Sequence, residues 1–153
     1  MNVLYLGASF GTGVSHIADL CFPGKVLAVE VAYEPFLKLL DLSRSRTNIY
    51  PILDDANSPE RYRPFIDGTD LIYQDVSQRN QVQIFMRNSQ VFPEAKSGLL
   101  VLKLRSISSS VSDREVLEKS ISGLSGFEID QQVNLDRFHR GHVLIQMQKT
   151  KSP

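Results

Sequence analysis

Four strand-forming residues, Val3-Leu4-Tyr5-Leu6, run directly into Gly7-Ala8-Ser9-Phe10-Gly11-Thr12-Gly13, and a helix-forming segment follows. No other stretch narrows the possible folds as much. Glycine belongs where the backbone takes positive φ or where a ligand approaches the main chain closely, and the helix that follows starts with N–H groups lacking partners within it. The spacing departs from the Gly-x-Gly-x-x-Gly dinucleotide fingerprint, so the loop alone is equally compatible with an ordinary strand-to-helix turn. A second residue favours the ligand reading. Glu30 ends the next apolar run, Lys25-Val26-Leu27-Ala28-Val29, at the point where a bound ribose presents its hydroxyls.

Beyond this loop, short apolar runs alternate with amphipathic stretches, which is the pattern of an α/β sheet with helices on both faces. Strands are expected at residues 3–6, 25–30, 49–53, 71–73 and 98–104, the last with Lys103 near its C-terminal end. Helices are expected over 14–20, over 78–92, and from Ser112, with Glu115 three positions on as in a capping box, to Gly123. Another helix begins near Pro35 and draws its buried side from Phe36, Leu37, Leu39, Leu40 and Leu42. Residues 57–68 read as a proline-rich connector with a short helix over 60–65, and residues 127–135 and 142–148 as an antiparallel hairpin at one sheet edge. The expected organisation is one domain over 1–148 with a flexible tail at 149–153.

Lysine plus arginine and aspartate plus glutamate both number 17, giving a formal net charge of zero. A chain so balanced exerts no overall field on nucleic acid or anionic lipid, so any RNA binding must be local or shared with a partner. The single cysteine, Cys21, excludes an internal disulfide and a cysteine-based zinc site. His16, His139 and His142 lack metal-ligand spacing with carboxylates, so no metal is expected. Met1-Asn2 leads straight into the first strand, with no run suited to a leader or membrane span, and the expectation is a soluble, cytoplasmic protein.

In open α/β sheets the ligand lies beyond the carboxyl ends of the strands. That rule gathers residues 7–13, Glu30, Asp54-Asp55, Asp75 and Lys103 at one rim, and His142 opens the last strand on the same edge. Two readings stay open for Asp55, an acceptor for a base amine or an Asx-turn. Asp75 and Lys103 read equally as a pair that positions a hydroxyl or as a structural salt bridge. His142 on its own is more often structural.

Several ordered motifs share these positions: residues 3–9 with Gly11-Thr12 and Ser15-His16; Asn48-Ile49 and Pro51-Ile52-Leu53 with Asp55-Ala56; Ile72-Tyr73 with Asp75-Val76 and Gln78; Lys103 with Arg105-Ser106-Ile107; and His142-Val143. In this order and spacing the chain resembles the methyltransferase domain of fibrillarin, most closely its archaeal form, over almost its whole length. The resemblance implies a Rossmann-like S-adenosylmethionine-dependent methyltransferase fold, a seven-stranded, mostly parallel sheet with an antiparallel C-terminal hairpin. It implies an RNA 2′-O-methyltransferase acting on rRNA or tRNA, with a guide RNA and a Nop-family scaffold protein as partners. Gly7, Ser9, Gly11 and Thr12 would then wrap the methionine end of S-adenosyl-L-methionine, with Glu30 at the ribose, Asp55 and Ala56 at the adenine, Gln78 near the methionine, and Asp75 a further cofactor contact. Asp75, Lys103 and His142 match three members of a catalytic tetrad whose fourth, a lysine, lies in the family upstream of the first strand. The expectation is therefore an incomplete tetrad in a chain starting at Met1. Arg79 and Arg105 are candidate phosphate contacts, with solvated surface arginines as the alternative. Gln74 stands where the family has glutamate, Asp54 where it has glycine, and Phe10 where it has a small residue. The competing expectation is a weakened paralogue that serves as a cofactor- or scaffold-binding assembly module.

Overall fold

The computed structural model describes residues 1–151, and in it the alternating runs become a single seven-stranded sheet in the order β3-β2-β1-β4-β5-β7-β6. The strands are β1 (Val3–Leu6), β2 (Val26–Glu30), β3 (Ile49–Leu53), β4 (Leu71–Gln74), β5 (Ser97–Lys103), β6 (Phe127–Asn134) and β7 (His142–Lys149). The first five are mutually parallel, while β7 runs antiparallel to both β5 and β6, so the expected C-terminal hairpin is present. The helices are α1 (Thr12–Cys21), α2 (Tyr33–Ser45), α3 (Gln81–Val91), α4 (Leu104–Ile107) and α5 (Asp113–Ser122).

Strand side chains alternate between two apolar layers, because successive Cβ atoms point to opposite faces. Tyr5, Val26, Ala28 and Ile49 pack with Val14 and Ala18 of α1 and Leu39 of α2 on one face. Leu4, Leu6, Leu27, Val29, Ile72 and Leu100 pack with Ile84 and Phe85 of α3 and Val116 of α5 on the other. Both faces of β1 are therefore covered, and Leu4 and Leu6 are fully buried. Burying side chains of that size contributes about 1.5–3 kcal/mol each.

Several expected boundaries move. Helix α1 starts two residues before residue 14, at Thr12, because Gly11 already supplies its N-cap. In α2 only Leu39 is fully buried, whereas Leu37 and Leu40 are 44% and 39% exposed. The helix lies on the outer strands β2 and β3, and one stripe suffices to cover them. The connector forms two 3₁₀ turns, Pro59–Arg61 and Arg63–Phe65, with a proline in the first turn of each. Helix α3 opens at Gln81, with Asn80 at its N-cap, and leaves Gln78 in the preceding loop. Strand β5 stops at Lys103, since Leu104 already begins α4. Ser112 caps α5 by accepting the Glu115 N–H at 3.3 Å. Strand β7 extends into the segment expected to fray: Lys149 donates its N–H to the Lys96 carbonyl and Thr150 donates to that of Gly126. Residues 152–153 lie outside the described residues. No helix among the described residues is long and apolar enough to cross a membrane.

Candidate functional site

At the end of β1 the chain turns sharply at Gly7, whose φ is +83°. A Cβ there would run into the carbonyl oxygen of Asp75, so the loop lies directly on the tip of β4. The Gly7 and Ala8 N–H groups both donate to the Val29 carbonyl, at 3.1 and 3.0 Å, which ties the loop to β2. Ser9 has a φ of +52°, a conformation uncommon outside glycine. Gly11, with φ +94°, is the N-cap of α1, and no side chain caps that end. The first-turn N–H groups beside Thr12 are consequently available to an acceptor. Phe10 is 57% exposed, so its ring is not part of the core.

Glu30 closes the other side of this loop. Its Oε1 accepts the Ser9 N–H and its Oε2 the Ala32 N–H, both at 2.8 Å. Each carboxylate oxygen keeps a lone pair, as recognition of two neighbouring hydroxyls requires. Beyond β3, Asp55 Oδ1 accepts both the backbone N–H and the side-chain Nδ2 of Asn57 at 2.9 Å, so the Asx-turn is present. Asn57 Nδ2 also donates to Gln78 Oε1 at 2.9 Å, and Asn80 Nδ2 donates to Asn57 Oδ1 at 2.7 Å. A chain of amides thus joins the tip of β3 to the loop before α3. Asn57 and Asn80 carry no sequence signal that separates them from loop polar residues. Asp54 turns away toward Arg61, at 3.3 Å, while Ala56 is buried and its carbonyl accepts from Asn88.

Asp75, Lys103 and His142 converge on the same rim from three strands. Lys103 Nζ stands 2.8 Å from Asp75 Oδ1 and donates to Ser77 Oγ at 2.9 Å. That carboxylate oxygen is buried and receives no directional hydrogen bond, so the ammonium is its polar neighbour. His142 is the cross-strand partner of Lys103 and stacks on His139 with ring centroids 5.1 Å apart. Burial, and after it the charge of Lys103, holds the His142 imidazole below its ordinary value, so it is neutral at pH 7. Behind Asp75, Tyr73 stacks on Tyr5 at 4.5 Å, and burial together with the Asp75 charge raises the Tyr73 phenol. A carboxylate touching an ammonium can hold a hydroxyl between them and take up its proton.

The two arginines follow rim segments: Arg79 comes directly after Gln78, and Arg105 two residues after Lys103. Arg79 is exposed at the mouth of a separate cavity of about 660 Å³ between α3 and α5, walled by Val82, Ile107, Val111 and Val116. Arg105 is also exposed, packs over Gly141, and has its Nε 3.8 Å from Asp113 Oδ2. The residues at the rim suit a nucleoside with a charged tail: a carboxylate for vicinal hydroxyls, an acidic turn for a base amine, and free N–H groups for a carboxylate.

The fibrillarin family model matches residues 1–151 of this chain. A fibrillarin-like rRNA/tRNA 2′-O-methyltransferase of Thermoplasma acidophilum is 54% identical over 144 residues, covering 94% of this chain and 62% of that protein. The Thermoplasma volcanium protein of the same name is 51% identical over 144 residues, covering 94% of this chain and 64% of that protein. The chain thus spans less than two thirds of the length of these relatives. Among solved structures, a fibrillarin/Nop5p complex superposes with a TM-score of 0.93 at 40% identity, over 97% of this chain and 72% of that one. Aeropyrum pernix fibrillarin with natively bound S-adenosyl-L-methionine superposes at 0.84 and 38% identity, over 95% of this chain and 65% of that one. A family model matched from residue 1 to 151 and relatives identical at half their aligned positions leave one assignment: this chain is a member of the fibrillarin family.

Proposed function

We propose that this chain is an S-adenosylmethionine-dependent RNA 2′-O-methyltransferase domain that modifies ribose in rRNA or tRNA within a guide-RNA particle. The observation that carries the reading is the contact between Asp75 and Lys103 on adjacent strand tips, with His142 opposite Lys103 and the glycine loop resting on Asp75. The names of the relatives give the reaction, the Aeropyrum structure gives the cofactor, and the fibrillarin/Nop5p complex supports a Nop-family scaffold as partner. We assign the protein to the cytoplasm because the similar proteins come from archaeal cells, which have no nucleus.

S-adenosylmethionine, when bound, supplies an electrophilic methyl group. Glu30 would hold its ribose, Asp55 and Ala56 its adenine end, and Gly7, Ser9, Gly11, Thr12 and Gln78 its methionine end. Asp75 accepts a hydrogen bond from the RNA 2′-hydroxyl, orients its oxygen, and takes the proton as the oxygen becomes bonded. Lys103, whose ammonium stands against Asp75, polarises the same hydroxyl. His142, neutral at pH 7, offers an acceptor or a donor without adding charge. Alignment supplies most of the rate in such a displacement, and proton removal on the order of 10²–10⁴-fold at most. Arg79 and Arg105 are proposed phosphate contacts, and with zero net charge most of the RNA affinity falls to the guide and scaffold.

The test is methyl transfer from labelled S-adenosylmethionine in a particle reconstituted with guide RNA and scaffold, wild type against Asp75→Ala. Transfer by the wild type that the variant loses supports the enzyme. Equal background from both, with the cofactor still bound, supports the assembly-module reading instead.

A further inference from the structure

Strands β4 and β5 pair only as far as Gln74 and Leu100, yet β5 runs three residues further, to Lys103. On its other edge the overhang stays paired, since Val101, Leu102 and Lys103 face Leu144, Val143 and His142. The edge toward β4 has no strand to complete it. At Lys103 a single side chain takes the place of one. Gln81 Oε1 accepts the Lys103 N–H at 2.9 Å, and Gln81 Nε2 donates to the Lys103 carbonyl at 3.2 Å. The amide pairs with this residue as a neighbouring peptide would.

The same Nε2 also donates to the Gln78 carbonyl at 2.9 Å, and the backbone carbonyl of Gln81 accepts Gln74 Nε2 at 2.7 Å. Both glutamines are fully buried. Gln74 Oε1 has no hydrogen-bond partner, so that side chain is anchored through its donor end alone, and that end goes to Gln81. Nothing else described pairs the β4-facing edge of Lys103.

We infer that Gln81 is a positioning residue for Lys103. It fixes the height and rotation of the strand tip and thereby where the ammonium stands between Asp75 and Ser77. Its side chain reaches neither of those groups, so it acts through the backbone of Lys103. The inference rests on the reading of Asp75 and Lys103 as the methyl-transfer pair, and it adds a residue that touches no reacting atom.

The experiment compares Gln81→Met, which keeps the unbranched shape without the amide, and Gln81→Glu, which keeps the acceptor facing the Lys103 N–H. Asn48→Ala serves as comparator: Asn48 is another buried amide, donating to the Ala18 and Gly24 carbonyls at the opposite rim of the sheet. Methyl transfer and cofactor KM are measured in the reconstituted particle, and amide hydrogen exchange on the free chain. In Gln81→Met, kcat falls about 10-fold or more while cofactor KM moves less than about 3-fold, the signature of a shifted catalytic group. Gln81→Glu lies between it and wild type. Asn48→Ala loses thermal stability and keeps kcat. The Lys103 amide exchanges about 10-fold faster in Gln81→Met, while that of Leu102 stays protected. Wild-type kcat in a folded Gln81→Met, or unchanged exchange at Lys103, overturns the inference. If Gln81→Met does not fold, Gln81→Glu decides by the same two measurements. An inactive wild-type particle sinks the methyltransferase reading, and exchange at Lys103 still decides whether Gln81 sets that strand tip.

Discussion

Gly7→Ala separates two costs that ordinarily come together at a glycine. Its φ of +83° imposes a conformational cost on any L side chain, about 1–2 kcal/mol. The new Cβ would also meet the backbone carbonyl of Asp75, which cannot swing aside as a flexible side chain would. Forcing that contact adds about 1–3 kcal/mol, the usual range for overpacking. Gly126 is the natural control, because its φ is +81° and a Cβ there would have nothing within 4 Å. Gly126→Ala carries the first cost alone. For 153 residues the unfolding entropy is about 0.32 kcal/mol per degree, so 1 kcal/mol is worth about 3 °C. Calorimetric melting should lower Tm by about 3–6 °C in Gly126→Ala and about 6–15 °C in Gly7→Ala. Since Asp75 is the residue displaced, Gly7→Ala should also lose methyl transfer in the particle, which Gly126→Ala should keep. Equal melting shifts in the two variants would refute the claim that the loop is seated on Asp75.

Other outcomes follow from the same geometry. Glu30→Gln leaves one acceptor where two N–H groups now donate, and isothermal calorimetry with S-adenosylmethionine should show affinity about 10-fold weaker, the loss of one charge-assisted bond. Burial and the charges of Lys103 and His139 lower His142, against Asp75 and Asp136, so the unfolded chain takes up this proton first as pH falls below 6.5. Its contribution to stability is present above 6.5 and lost as pH drops toward the lowered value; between pH 7.5 and 5 the urea midpoint of the wild type should fall further than that of His142→Asn. Phe10→Ser should leave Tm unchanged within about 2 °C, as expected for a surface substitution, and cofactor affinity within about 3-fold by calorimetry. Arg79→Ala and Arg105→Ala should each reduce the slope of log affinity for RNA against log salt by about 1 if they contact phosphate, measured by filter binding of the particle.

The sheet was legible in the sequence because each parallel strand is a short apolar run closed by a polar or glycine residue, and burial on both faces demands that pattern. The rim residues were legible for the same reason: Glu30, Asp75 and Lys103 stand where those runs end. What stayed hidden depends on side chains whose environment the chain alone does not disclose. Leu37 and Leu40 have the spacing of a buried helix face and lie exposed, because α2 covers only the outer strands. Gln74, Gln81 and Asn88 are polar and fully buried, and each donates to a backbone carbonyl outside its own element. Periodicity assigns such residues to the surface. Helix α4 was hidden because Leu104 continues the apolar run of β5 without a breaking residue.

The direction of β7 explains how His142 reaches the rim at all. In the parallel strands of this sheet, first residues lie at one edge and last residues at the other, and Asp75 and Lys103 come from the latter. A parallel seventh strand would send its opening residue to the far edge, beside Asn48 and Gly24. Reversal brings His142 against Lys103, and each further step pairs Val143 with Leu102 and Leu144 with Val101. Because side chains alternate every residue, a slip of one position would turn His142 to the other face and bring Val143 opposite Lys103. The buried Val143, Ile145 and Met147 oppose that slip, since it would expose all three, and so the apolar face of the hairpin sets the register that pairs Lys103 with His142.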